Sequence, residues 1–504
     1  MGLLFENLEK IGNKTALINE GKRKYSYKQI SFLAKRITSK IENNSLVIII
    51  SNNSLPSLIG YISFMRSEHI IILLDQNFDF KFINQTIKKF KPNYLYARRS
   101  SLKKLNKVKL LFSYQGFCLF KTNNKNHKKL NNLNKLILTT SGSTQSPKFV
   151  RLSNKNLLSN TKNIIQYLKI NPSHTTITTM PMAYSYGLSI INTHLDCGCK
   201  IVINNKTVFE KDFWNIIRKN KVNSFGGVPQ FFEQLVKLKF DKIKLPHLKY
   251  LTQAGGNLDI KYLEYFKKVC KKNKINFIVM YGQTEASPRM SYLDGTNFFK
   301  KMGSIGKALK NCKFELVDEK NKIISKPYKT GEIVFYGDNV SLGYGYSLKD
   351  LFLGDVNKKK LFTGDLAYRD KAGFYYIVGR KNRISKIFGI RIDLNEIEKR
   401  LEKRGFKVKC LTDDKYLKIA FKNRNNIKDE NNFSSYLKGP HATRIGPDDN
   451  LYIPIGVPCN ICIEPQTKDK RFAAAIAPVP TPDFIQNPKV AGAIALDTRE
   501  IMKK

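Results

Sequence analysis

Short apolar runs of strand length punctuate the first 300 residues. Residues 46–50 read L-V-I-I-I, 69–74 H-I-I-I-L-L, 175–180 T-T-I-T-T-M, 200–203 K-I-V-I and 277–281 F-I-V-M-Y. Runs apolar at consecutive positions suit strands buried on both faces, and the segments between them carry helical spacing. In K-Y-S-Y-K-Q-I-S-F-L-A-K-R-I, residues 24–37, Ser26 reads as an N-cap, with Ile30, Leu33 and Ile37 on one side of the helix that follows. The alternation is the βαβ rhythm of a parallel sheet. From Gly331 the texture becomes antiparallel: G-E-I-V-F-Y-G, then L-F-T-G-D-L-A-Y-R-D-K-A-G-F-Y-Y-I-V-G-R, in which Asp370-Lys-Ala-Gly373 is a hairpin turn. Beyond Gly379, R-I-S-K-I-F-G-I-R-I-D-L-N-E-I-E-K-R-L predicts strand, tight turn at Gly389, strand, and a helix from about Leu394. After Tyr436 the texture changes again: residues 437–504 are rich in Pro and Ala, and Lys and Asn thin out.

A chain of 504 residues has room for two to four domains at about 100–200 residues each. A large α/β enzyme with a small appended domain fits. No apolar run approaches the roughly 18 residues of a membrane span, and Met1 to Lys14 lacks a signal-peptide pattern, so a soluble cytoplasmic protein is expected. The formal charge of +48 invites a nucleic-acid reading. It is spread almost evenly over the first 430 residues, is mostly Lys, and comes with abundant Asn and Ile; stretches such as Lys89–Asn93 and Lys271–Lys274 read as solvated helix ends or loops. No nucleic-acid partner is expected. The eight cysteines are scattered except for Cys197-Gly-Cys199 and Cys459-Asn-Ile-Cys462. A lone C-x-x-C without a second pair or a nearby His is a weak metal or redox signal.

The chemistry concentrates at L138-T-T-S-G-S-T-Q-S-P-K-F-V150. A polyphosphate loop needs inward-pointing backbone N–H groups, hydroxyl donors and a cation, which Ser141-Gly142-Ser143-Thr144 and Lys148 supply. The stretch does not meet the Walker A pattern, and its lysine leads into a strand-like K-F-V-R-L rather than a helix. Taken alone, it reads better as an ordinary Ser/Thr/Gly loop.

It has company. The loop resembles the phosphate loop of the adenylate-forming superfamily of acyl-CoA synthetases, adenylation domains and luciferases. Tyr250-Leu-Thr-Gln-Ala254-Gly255-Gly256 resembles the segment lining the adenine pocket. Tyr281-Gly282-Gln283-Thr284-Glu285 resembles the strongest signature of the family. Phe362-Thr-Gly-Asp365 resembles the ribose-binding turn, and the segment from Gly379 and Arg380 to Gly389 the interdomain hinge. The motifs follow in order, between about residues 10 and 430.

The resemblance implies an α/β fold: a large N-terminal domain, residues 1–378, of parallel-rich sheets with flanking helices and a small β-barrel-like subdomain, then a small, incomplete α+β domain over 379–436. It also implies activation of a carboxylic acid by ATP to an acyl-adenylate, followed by thioester formation with CoA or the phosphopantetheine thiol of an acyl carrier protein. ATP would contact Thr140, Ser141, Gly142, Ser143, Thr144, Lys148, Ala254, Gly255, Gly256, Tyr281, Gly282, Gln283, Thr284, Asp365 and Arg380. The implied catalytic set is Thr284, Glu285 as the Mg²⁺ ligand, and Lys386 on the thioester-forming face. Met180-Pro-Met-Ala-Tyr184-Ser-Tyr186-Gly187-Leu188 stands at the acid-binding aromatic pair. No acidic residue lies between Met180 and Ile191, which disfavours an amino acid and favours a neutral-tailed carboxylic acid.

Three positions depart from the family pattern. Gln145 replaces a loop glycine, Asn382 the usual hinge aspartate, and the adenylating lysine of a G-K motif near the C-terminus is not found. The stretch 446–462 instead resembles a blade of glucose/sorbosone dehydrogenase propellers, which marks 437–504 as a foreign or frameshifted end. The alternative expectation is a catalytically impaired nucleotide-binding homologue.

Overall fold

The apolar runs become the centres of two sheets. The computed structural model describes residues 2–19, 23–102, 108–124, 130–140, 148–387, 390–394, 398, 402, 408–413, 416–421, 444–445 and 450–454. The chain divides into two units, one of residues 1–363 and 367–377, the other Gly364–Leu366 with everything from Val378 on.

In the first unit, a nine-stranded sheet runs Lys307–Ala308, Arg289–Leu293, Asn276–Gly282, Tyr250–Gln253, Ser224–Gly227, Thr175–Ile177, Lys200–Ile203, Thr15–Asn19, Arg23–Ser26. Its interior pairs are parallel and its outer pairs antiparallel. An eight-stranded sheet places Leu46–Ser51 and Ile70–Asp75 side by side in parallel at its centre. Their apolar runs are buried almost throughout, as a sheet covered on both faces requires. Ser26 caps the helix Tyr27–Thr38 with a full capping box through Gln29, and Ile30 and Ile37 are buried. The helix Leu55–Met65 is buried on every side, which suits a sequence apolar all round.

The antiparallel stretch forms a four-stranded sheet of Lys313–Val317, Gly331–Tyr336, Lys360–Arg369 and Tyr375–Arg380. Among the described residues this sheet is open, so the expected barrel-like closure is corrected to a single sheet; each strand order ends at an edge strand with no return pairing. The turn at 370–373 is a hairpin, with Gly373 at φ +81° and the Asp370 carboxylate accepting from Phe374 N at 2.9 Å.

In the second unit, Ile384–Ile387 and Ile390–Asp393 pair as the predicted hairpin, and Leu394 is helical. Its turn, residues 388 and 389, lies outside the described residues. Arg383 pairs with Glu398, and Glu398 also accepts from Cys410 N at 2.7 Å. A further sheet orders Val408–Asp413, Tyr416–Phe421, Asn450–Pro454 and Arg444–Ile445. Strands on either side of position 437 therefore share one sheet. The propeller-like stretch is described only at 450–454, and the Cys459–Cys462 pair lies outside the described residues.

Candidate active site

The two ends of the stretch 138–150 belong to an antiparallel pair of strands. Leu136–Thr139 pairs with Phe149–Leu152, and Thr140 N donates to Lys148 O at 2.9 Å, so the chain leaves and re-enters the sheet at one point. Ser141, Gly142, Ser143, Thr144 and Gln145 lie outside the described residues. Lys148 sits at the loop's foot, exposed, with Nζ 5.1 Å from the centre of the Tyr344 ring.

The Tyr281–Glu285 motif ends the strand Asn276–Gly282 and enters a single helical turn, Thr284–Ala286. Gly282 is required by close approach: a Cβ there would lie 1.8 Å from Pro288 O. Gln283 is tied by N to Pro288 O and by Nε2 to Thr363 O, both at 2.9 Å. The turn therefore holds Thr284 and Glu285 on fixed backbone. Thr284 Oγ1 is 3.1 Å from Ser185 Oγ, and Glu285 Oε1 accepts from the Tyr344 hydroxyl at 2.8 Å. Burial, then the adjacent Glu285 charge, pushes the Tyr344 hydroxyl well above its ordinary range, so it stays a donor. Ser185 and Tyr344 were not singled out from sequence; no local signal marks Tyr344, which reaches Glu285 from 59 residues away.

The adenine-like segment leaves the strand Tyr250–Gln253 at Ala254, which is buried. Gly255 has φ +84°, and a Cβ there would come within 2.5 Å of the Tyr184 hydroxyl. Gly256 O accepts from Gln253 Nε2 at 2.9 Å. Tyr184 and Tyr186 flank the start of the helix Ser185–Asp196, their rings 6.4 Å apart and edge to face. Gly187 lets that helix pass the 180–182 turn, since a Cβ would meet Pro181 O at 2.4 Å. Tyr186 is fully buried and its hydroxyl lies 2.7 Å from Thr252 O. The segments 250–256 and 180–188 thus touch through Tyr184 and Tyr186.

Sequence reading passed over Arg289, four residues past Glu285. It is 3% exposed, and its guanidinium stacks on the Tyr186 ring with Cζ 4.1 Å from the centroid. The signal was available only in part: an arginine opens the short strand R-M-S-Y-L, and a buried arginine asks for a partner.

In the second unit, Asp365 is 4% exposed and its Oδ1 accepts from Arg380 Nε at 2.7 Å. The sequence placed both among the residues expected to contact ATP, and the strand geometry makes them an ion pair. Lys386 lies in the strand Ile384–Ile387, opposite Arg391 in register, and Asn382 in the turn Lys381–Arg383.

Mg²⁺ is a hard cation that keeps several waters and takes one or two protein carboxylates together with substrate phosphates. Among the described residues there is no cluster of three or more His, Cys, Asp or Glu able to hold a metal alone. Glu285 presents one carboxylate with only Oε1 engaged among the described residues, on the Tyr344 side chain whose ring faces Lys148, which fits a phosphate-bound ion rather than a protein cage.

The chain belongs to the AMP-binding enzyme family, whose model matches residues 4–345. Among curated relatives, the luciferin 4-monooxygenase of Photuris pensylvanica is 28% identical over 371 residues, 70% of this chain and 61% of that protein. The 2-succinylbenzoate–CoA ligase of Bacillus cereus is 28% identical over 56% of this chain and 57% of its own length. The chain therefore spans about three fifths of these relatives. The solved O-succinylbenzoate coenzyme A synthetase of Bacillus subtilis in complex with AMP superposes with a TM-score of 0.66 at 18% identity, covering 82% of this chain and 86% of that one. The same enzyme in complex with ATP and magnesium gives 0.65, covering 82% and 87%. The fold is that of the adenylate-forming enzymes. No helix among the described residues is long and apolar enough to cross a membrane.

Proposed function

We propose that this chain is an AMP-forming acid–thiol ligase. A carboxylate oxygen of the acid attacks the α-phosphorus of ATP, the bond to the bridging oxygen of the β-phosphate breaks, and pyrophosphate leaves. The thiol of CoA, or of a carrier protein, then displaces AMP from the acyl carbon and gives up its proton. The observation that carries this reading is the meeting, within one unit, of the Thr284–Glu285 turn, the loop foot at Lys148 and the Tyr184/Tyr186 pair against Gly255.

Each residue has a definable task. The hairpin from Thr140 to Lys148 would hold the phosphates, with hydroxyls and N–H groups from Ser141 to Thr144 and the Lys148 ammonium as counter-charge. The Thr284 hydroxyl, oriented by Ser185, would donate to a phosphate oxygen as charge grows there. Glu285, oriented by Tyr344, would hold Mg²⁺, which when bound supplies charge neutralisation on the phosphates. Ala254 to Gly256 and Tyr281 to Gln283 would wall the adenine side. Asp365, with Arg380 beside it, is assigned the ribose hydroxyls, and Lys386 the thioester face, on motif alone. A cytoplasmic location and a carrier-protein acceptor belong to the same reading.

The test is ATP–pyrophosphate exchange with a panel of carboxylic acids, alongside equilibrium ATP binding. Exchange with at least one acid is expected. ATP binding without exchange for any acid would refute the ligase and leave the non-catalytic homologue.

A further inference from the structure

Three residues beyond Lys148, the strand Phe149–Leu152 buries an arginine completely, Arg151. A charge so placed is costly unless its donors are met, and here they are. Arg151 Nε donates to Tyr344 O at 3.0 Å, Nη1 to Leu353 O at 2.7 Å and to Asn134 Oδ1 at 3.4 Å. Nη2 donates to Leu342 O at 3.0 Å and Gly354 O at 3.2 Å. Four of these five acceptors are main-chain carbonyls of one segment, residues 342–354. The planar guanidinium is the polar centre around which that segment is arranged.

The segment carries Tyr344, whose hydroxyl donates to Glu285 Oε1 at 2.8 Å and whose ring faces the Lys148 ammonium. The main chain alone holds this tyrosine weakly. The strand Gly343–Tyr344 is two residues long and pairs with Arg151 and Val150 at one edge of the eight-stranded sheet. Glycines flank the tyrosine: Gly343 has φ +116°, and a Cβ on Gly345 would lie 3.1 Å from Arg151 Cδ. The glycines that let the arginine stem lie against the backbone also leave that backbone free to turn, and the guanidinium fork restores the stiffness. Glu285 has its own main-chain anchor, its carbonyl accepting from Ser341 N at 2.8 Å. Arg151 therefore governs the aim of the Tyr344 side chain rather than the place of the Glu285 backbone.

We infer that Arg151 is a positioning residue for the magnesium-binding carboxylate: its fork fixes Tyr344, and Tyr344 orients Glu285. This rests on the ligase reading and adds to it a residue just past the stretch 138–150. A lysine would keep the charge, but one ammonium on a flexible stem cannot span the carbonyls of 342, 344, 353 and 354 together. With Tyr344 less firmly aimed, the Glu285 carboxylate is less well ordered for the ion, and the magnesium requirement rises.

The test titrates magnesium in pyrophosphate exchange and in equilibrium ATP binding on the full chain. It compares the unaltered protein, Arg151→Lys, Tyr344→Phe and the double variant, with a urea midpoint for each. Arg151→Lys should raise the magnesium concentration at half-saturation by about 3–10-fold, and should add little once Tyr344→Phe is present, because both act through one contact. A role confined to folding would lower the midpoint and leave the magnesium requirement unchanged. That result, or an Arg151→Lys effect of equal size in both backgrounds, overturns the inference and leaves the ligase intact. Exchange with no acid on the unaltered chain removes the ligase reading, and the magnesium dependence of ATP binding then decides for Arg151 by itself. Should Arg151→Lys fail to fold, Gly345→Ala decides: its Cβ presses on the Arg151 stem without deleting the fork, and an unchanged magnesium requirement there overturns the inference.

Discussion

Replacing Tyr344 by Phe isolates one bond in the proposed metal site. The ring remains, and with it the face on which the Lys148 ammonium rests at 5.1 Å; only the hydroxyl that donates to Glu285 Oε1 at 2.8 Å is removed. A hydrogen bond to a charged group contributes roughly 1.5–3 kcal/mol. Both partners are only half-buried, which lowers the figure to about 1–2 kcal/mol. At 1.36 kcal/mol per decade, that corresponds to a fall of about 5–30-fold in kcat/KM for pyrophosphate exchange. Because the loss acts through Glu285, it should appear as a raised magnesium requirement, and it should vanish in a Glu285→Gln background, where the carboxylate is already gone. The assay is exchange rate against magnesium concentration for the unaltered chain, the two single variants and the double variant. A Tyr344→Phe enzyme with an unchanged magnesium dependence, or a Tyr344 effect of equal size in both backgrounds, would refute the role assigned to this contact.

Two further outcomes concern stability. Burial holds both His69 and His194 down to about 4, with the nearby Lys135 adding to the effect at His69, so both are neutral in the folded chain at pH 7. The unfolded chain takes up their protons near pH 6.5, and stability should therefore fall with pH from about 6.5 towards 4, by about 2 kcal/mol per histidine between pH 7 and 5; urea melts across that range check it, and a flat profile would contradict it. Gly255→Ala places a Cβ at φ +84° within 2.5 Å of the Tyr184 hydroxyl and 3.1 Å of Val228 Cγ1. It should cost about 1–3 kcal/mol and weaken ATP binding, against an unchanged denaturation midpoint if the glycine is incidental.

Much of the architecture was readable because it follows from local rules. Consecutive apolar residues at 46–50, 69–74 and 277–281 can only be satisfied inside a covered sheet, and all three are strands there. Ser26 followed by Gln29 carries its own cap chemistry, and D-K-A-G its own turn. Motif order was likewise legible, because each motif is a short run of residues on one turn. What sequence alone determined is therefore the list of parts: which stretches are strands, where the chain turns, and which motifs it shares with the AMP-binding enzyme family.

Only the tertiary structure decided how those parts meet. Tyr344 finds Glu285, Ser185 finds Thr284, and Arg289 comes under Tyr186, each across a separation that no periodicity spans. The open form of the sheet built from Gly331 onward was also a tertiary outcome, since strand alternation reads the same in an open sheet and a closed barrel. The physical reason is common to all of these. A side chain's hydrogen-bonding type is written at its own position, whereas whether its partner is a protein group or a ligand depends on what packing brings within about 3 Å. Arg289 is the clearest case: its charge is visible in the sequence, and its seat against Tyr186, Ser189 and Met280 is visible only in the fold.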